Sequence, residues 1–114
     1  MGKAMEVIVR TPPGATVIDL HGRLDYMARW DLKAVLQQCC MTEREHVILN
    51  LRGLSFIDSA GLGFLVLTYL QFTGLHRRMS WVQPQKQVHA LIERLGLPAM
   101  IPVFATEQEA LRHS

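Results

Sequence analysis

Residues 46–51, HVILNL, are almost continuously apolar, between Glu45 and Arg52. A strand of this composition has no face to leave in water, so it belongs in a sheet covered on both sides. The rest of the chain has to supply that cover, and its periodicity says how. Residues 5–10, MEVIVR, alternate and are rich in β-branched side chains, the pattern of a strand. TPPGAT breaks any ladder, and TVIDLHG, residues 16–22, reads as a second strand paired with the first in a hairpin. The period then changes. Met27, Trp30, Ala34, Val35 or Leu36, and Cys39 recur at helical spacing, which predicts a helix with one apolar face and Asp25 as its N-cap.

After the apolar run, RGLSF reads as a short link. A helix is expected from Ser59 to about Phe72, with Gly74 at the C′ position. RMSWVQ, residues 78–83, is a strand, and Pro84 opens the next helix from its first turn, running to Gly96. MIPVFA, residues 100–105, is a short strand that Pro102 assigns to a sheet edge. Thr106 and Glu109 have capping-box spacing and start a last helix, EQEALRHS. The order ββαβαβαβα calls for an α/β fold. Its sheet is mixed and mostly parallel, residues 47–51 are central, and helices cover one side of it.

Composition narrows the function. A chain of 114 residues fits one domain and buries roughly two-thirds of its unfolded surface. Its formal net charge is +2, and its basic residues are scattered, with only Arg77 and Arg78 adjacent; that pair reads as a solvated loop. Direct nucleic-acid binding would need Lys and Arg clustered on one face. No apolar run reaches the roughly 18 residues needed to span a membrane, and MGKAMEVIVR lacks a signal-peptide hydrophobic stretch. Met-Gly is followed by Glu6 where a myristoylation motif requires Ser or Thr. The expectation is a cytoplasmic protein. Cys39 and Cys40 are adjacent, which gives no disulfide framework, and the five histidines have no ligand spacing, so neither metal nor cofactor is expected.

The most informative interruption is Asp58-Ser59-Ala60-Gly61-Leu62-Gly63, a small polar pair and two glycines between apolar segments. At a strand-to-helix turn, Ser59 caps free backbone N–H groups, or it serves as a modifiable hydroxyl. A phosphate there would add about −1.5 to −2 of charge without unfolding the domain. Asp58 could orient the hydroxyl, and Gly61 and Gly63 let a backbone or a phosphate come close. Wound as a helix, Leu62, Leu65, Val66, Tyr69 and Phe72 fall on a core face. Phe64, Leu67, Thr68 and Gln71 fall on another, a strip covered either by a neighbouring loop or by a partner. Catalysis by Ser59 would need a base, for which His21 is the one candidate. The surroundings, with Ile57 and Gly61 flanking, lack the Gly-x-Ser-x-Gly elbow. SAGLG also lacks the Lys-Ser/Thr of a phosphate-binding loop.

These residues match a known pattern. VILNLRGLSFIDSAGLGFLV resembles the signature of STAS-domain anti-sigma-factor antagonists. VIDLHGRLD resembles that family's earlier strand, and ERLGLPAMIPVFATEQEAL its closing helix, strand and helix, so the likeness covers nearly the whole chain. The resemblance implies a single STAS domain over residues 1–114 and a partner-switching binding module rather than an enzyme. Such a module binds an anti-sigma factor that is also a serine kinase, and so frees a sigma factor. The kinase phosphorylates the serine after the Asp, here Ser59, and a PP2C-type phosphatase resets it. Asp25 matches the acidic residue of the earlier Gly-x-Leu-Asp loop. The implied partner surface is Asp25, Asp58, Ser59, Ala60, Gly61, Leu62, Gly63, Phe64 and Leu67. Ala60 departs from the many members with a second hydroxyl residue there, which leaves Ser59 alone. The alternative within the family is a regulatory subunit docked on a membrane transporter ATPase.

Overall fold

The computed structural model describes residues 5–40 and 46–113, with the backbone alone at residue 40. The sulfur of Cys40 and residue Ser114 of the expected last helix therefore lie outside the described residues. The chain forms β1 (Met5–Arg10), β2 (Thr16–Leu24), α1 (Arg29–Cys40), β3 (His46–Ile57), α2 (Ser59–Gly74), β4 (Arg78–Val82), α3 (Lys86–Arg94), a 3₁₀ turn (Leu97–Ala99), β5 (Val103–Phe104) and α4 (Glu107–Arg112). The five strands lie in sequence order, β1-β2-β3-β4-β5. β1 is antiparallel to β2 and the other pairings are parallel, as the alternation of elements predicts. β3 is central, β5 is an edge, and Val47, Ile48, Leu49 and Leu51 are fully buried.

Cover is divided between the two faces, which corrects the expectation of helices on one side. Ile18, Leu20, Val47, Leu49, Leu51, Met79 and Trp81 pack with Leu32 and Leu36 of α1, Leu62, Leu65 and Phe72 of α2, and Val88 and Ile92 of α3. The alternate positions Val17, Ile48 and Val82 pack with Ala110 and Leu111 of α4. Strand alternation makes this unavoidable: an apolar Ile48 between Val47 and Leu49 points away from them and needs its own cover. Polar groups hold α4 there. Arg10 bridges Asp19 at 2.6 Å and also binds Glu107, while Asn50 donates to Glu107 at 2.8 Å and to Gln83 at 3.0 Å.

Several boundaries differ from the sequence reading. RGLSF is strand, not link: it continues β3 to Ile57, and β2 runs on to Leu24 beside it. The apolar face of α1 is Leu32, Leu36 and Cys39, continued by Ala28 of the turn before it. Met27 and Trp30 are instead 69% and 52% exposed, and Ala34 also faces solvent. The helix starts only at Arg29, after a turn that fixes which side meets the core. Asp25 caps that turn, its Oδ1 accepting from Ala28 N–H at 2.8 Å. Pro84 lies outside α3, whose N-cap is Gln85. Gly74 is still helical. The left-handed C′ residue is His76, φ 59°, with Arg77 N–H donating to the Phe72 carbonyl at 2.9 Å and His76 N–H to that of Thr73 at 3.0 Å. Arg77 is not solvated loop: it is half-buried, donates to the Cys39 carbonyl at 2.9 Å and lies over the Phe72 ring. Thr106 caps α4 through Glu109 N–H, as its spacing predicts.

Candidate functional site

The parallel register of β2 and β3 sets Leu24 opposite Ile57, so the next residues, Asp25 and Asp58, leave the sheet side by side. The two turns are joined. Asp58 N–H donates to the Leu24 carbonyl at 3.3 Å, and Tyr26 N–H donates to the Asp58 carboxylate at 3.3 Å. The same carboxylate accepts from Gly61 N–H at 2.7 Å, which makes Asp58 the N-cap of α2. The sequence offered Ser59 as that cap. The structure gives the role to Asp58 because its oxygen sits one residue earlier, where it reaches the free N–H three positions on. Ser59 becomes the first residue of the helix and is exposed, and its hydroxyl has no hydrogen-bond partner among the described residues. Asp58 therefore does not orient that hydroxyl; it leaves it unused.

The two glycines part company. A Cβ on Gly61 would stand 2.3 Å from the Leu24 carbonyl oxygen, so the close backbone approach expected here is real and is made by β2. A Cβ on Gly63 would meet nothing within 4 Å, and that residue simply opens the surface. Along α2, Leu62, Leu65 and Phe72 are buried, with Val66 and Tyr69 half-buried against them. In the second strip, Phe64 is half-buried, Gln71 is exposed and Leu67 is 61% exposed, so no loop among the described residues covers it. Thr68 departs from the expectation. It is buried, with Oγ1 donating to the Phe64 carbonyl at 2.9 Å, and Leu70 is the exposed residue in its place.

Ser59, Ala60, Leu62, Gly63, Phe64 and Leu67 form one wall of an open, mostly apolar groove of about 720 Å³. Tyr26 and Arg29 from the start of α1, and Leu91, Leu95 and Leu97 from α3 and the turn after it, form the other. Asp25 does not line it; Asp25 holds the turn that presents Tyr26 and Arg29. The sequence reading missed these opposing residues. One signal was available: Tyr26, Met27, Trp30 and Leu32 are more large apolar side chains than one end of a single helix face can bury. His21, the candidate base, is elsewhere. It lines a polar cavity with Arg10, Asp19, Asn50 and Gly53, on the α4 side of the sheet. Among the described residues no group of three or more His, Cys, Asp or Glu could hold a metal ion. No described helix is long and apolar enough to cross a membrane.

Comparison with known proteins places this geometry. The family model described as STAS domain matches residues 6–110. An anti-sigma F factor antagonist of Paenibacillus polymyxa is 31% identical over 104 residues, covering 86% of this chain and 85% of the relative. The crystal structure of an anti-sigma factor antagonist from Mycobacterium paratuberculosis superposes with a TM-score of 0.86 at 21% identity, over 96% of this chain and 92% of that one. The Bacillus cell fate determinant SpoIIAA in its phosphorylated form superposes with a TM-score of 0.71 at 24% identity, over 95% of this chain and 98% of that one. At those identities the solved structures speak to the fold alone.

Proposed function

Because the chain belongs to the STAS-domain family, we propose that it is an anti-sigma-factor antagonist: a cytoplasmic binding module, not an enzyme, switched at Ser59. The observation that carries the reading is the division of labour at the turn. Asp58 caps α2, so the Ser59 hydroxyl is exposed, unspent and beside an apolar groove. Unphosphorylated, this surface suits a protein partner, with Phe64 and Leu67 as the apolar contacts, Ala60, Leu62 and Gly63 shaping the wall, and buried Gly61 and the Asp58 cap holding that wall from behind. The partner proposed is an anti-sigma factor with serine kinase activity. Transfer of the ATP γ-phosphoryl group to Ser59 Oγ releases ADP and the hydroxyl proton. The new phosphate would then put a strongly hydrated dianion into an apolar contact surface, which is costly to desolvate, and the complex separates. A PP2C-type phosphatase hydrolyses the phosphoester and resets the surface.

The test pairs two variants in titration calorimetry against the captured partner. Ser59→Ala adds no charge to the groove and is expected to bind like the wild type. Ser59→Asp is expected to bind about tenfold more weakly or worse, a loss of about 1.4 kcal/mol or more. Equal affinities would remove the switch. Mass spectrometry of a pull-down identifies the partner and the phosphosite together; a transporter ATPase in place of a kinase would move the protein to the alternative role of transporter subunit.

A further inference from the structure

Among the described residues, Arg29 is the one charged residue on the groove that holds Ser59. Its guanidinium lies 3.6 Å from the Tyr26 ring centroid and 4.6 Å from that of Trp30, and donates to the Tyr26 carbonyl at 2.5 Å. Among the described residues it has no carboxylate partner within ion-pair distance. A cation parked on two aromatic rings, each at least half exposed, is held weakly, because water competes with the rings for the charge. A phosphate on Ser59, in contrast, would arrive next to Asp58, whose carboxylate is engaged with the Gly61 and Tyr26 N–H groups. A dianion placed beside a like charge needs a cation. The Tyr26–Asp58 hydrogen bond ties the turn that carries Arg29 to the turn that carries Ser59, so the two side chains face one groove from joined supports.

We propose that Arg29 is the internal receptor for the Ser59 phosphate. On modification the guanidinium leaves Tyr26 and Trp30 and pairs with the phosphoryl oxygens, a bidentate geometry that suits Arg. The ion pair spans the groove between α1 and α2 and closes it to an apolar partner, while Tyr26 loses its cation and Trp30 keeps only Lys33, 5.1 Å from its centroid. Phosphorylation thus acts by closing the groove as well as by adding charge. This rests on the reading of Ser59 as the switch.

The experiment installs phosphoserine at position 59 during synthesis and follows its second ionisation by ³¹P NMR. Because no kinase is used, the result is independent of whether one modifies Ser59. With Arg29 in place the titration midpoint is expected about 0.5–1 pH unit lower than in Arg29→Gln, since a neighbouring cation favours the dianion. Arg29→Lys should recover part of that difference, and Lys33→Gln, one helical turn further on, should leave it intact. Indistinguishable midpoints in wild type and Arg29→Gln, or an equal change in Lys33→Gln, would overturn the assignment and leave the Ser59 switch standing. A partner kinase that labels another residue would instead remove the switch on which the assignment rests.

Discussion

Position 58, not position 59, carries the stability of the turn. The Asp58 carboxylate accepts from Gly61 and Tyr26 and so joins two segments; Ser59 contributes no side-chain bond to described residues. Asp58→Ala is therefore expected to cost about 0.5–2 kcal/mol in urea unfolding. Ser59→Ala should stay within about 0.5 kcal/mol, the range of an exposed site. The reverse ranking would mean that Ser59 is the cap after all. The glycines give a second contrast. Gly61→Ala forces a methyl group against the Leu24 carbonyl and should destabilise strongly. Gly63→Ala enters open space in a helix and should stabilise by up to about 1 kcal/mol. If Gly63→Ala keeps its stability but binds the partner poorly, the glycine is retained for contact and not for folding.

At the scale of the element, α2 has a buried side and an uncovered one, and the two should answer differently to mutation. Leu65 is fully buried and Leu67 is mostly exposed, two residues apart on the same helix. Leu65→Ala should cost about 2–5 kcal/mol. Leu67→Asp should leave the melting temperature nearly unchanged and weaken partner binding. A large stability loss on Leu67→Asp would mean that the strip is core. The core face of α2 was readable because the Asp-Ser turn marks where the helix begins. That of α1 was not. Met27 and Trp30 fit a helical stripe as well as Ala28 and Leu32 do, and only the turn held by Asp25 chooses between them. The helix ends show the same limit: Gly96, φ 69°, takes the left-handed place after α3, whereas after α2 His76 takes it although Gly74 was available.

The whole molecule is a β3-centred sheet whose two faces have separate cores, and His46 lies at its start, buried against Ser80 of β4. Burial, with a smaller contribution from the nearby Arg78 charge, lowers the His46 pKa below the ordinary 6.5. The unfolded chain then takes up a proton that the folded chain refuses. Stability is expected to fall as pH drops below about 6.5 and to level off once the pH passes the folded-state pKa. Within that window the loss is at most about 1.4 kcal/mol for each pH unit crossed. Urea unfolding of wild type and His46→Gln across this window checks it. A wild-type slope that survives in His46→Gln would place the titration elsewhere.

What the sequence determined by itself was strand-helix alternation, the central position of residues 47–51, and the Asp-Ser turn as the place to look. Periodicity and turn chemistry act over a few residues, so they can be read from a few residues. What only the tertiary structure decided was pairing. The register of β2 on β3 extends both strands and brings Asp25 next to Asp58. Strand alternation sends α4 to the face that α1, α2 and α3 leave open. The second wall of the groove, with Tyr26, Arg29, Leu91 and Leu95, is drawn from segments more than 60 residues apart. No local rule places such residues together, because their proximity is the outcome of burying two cores at once.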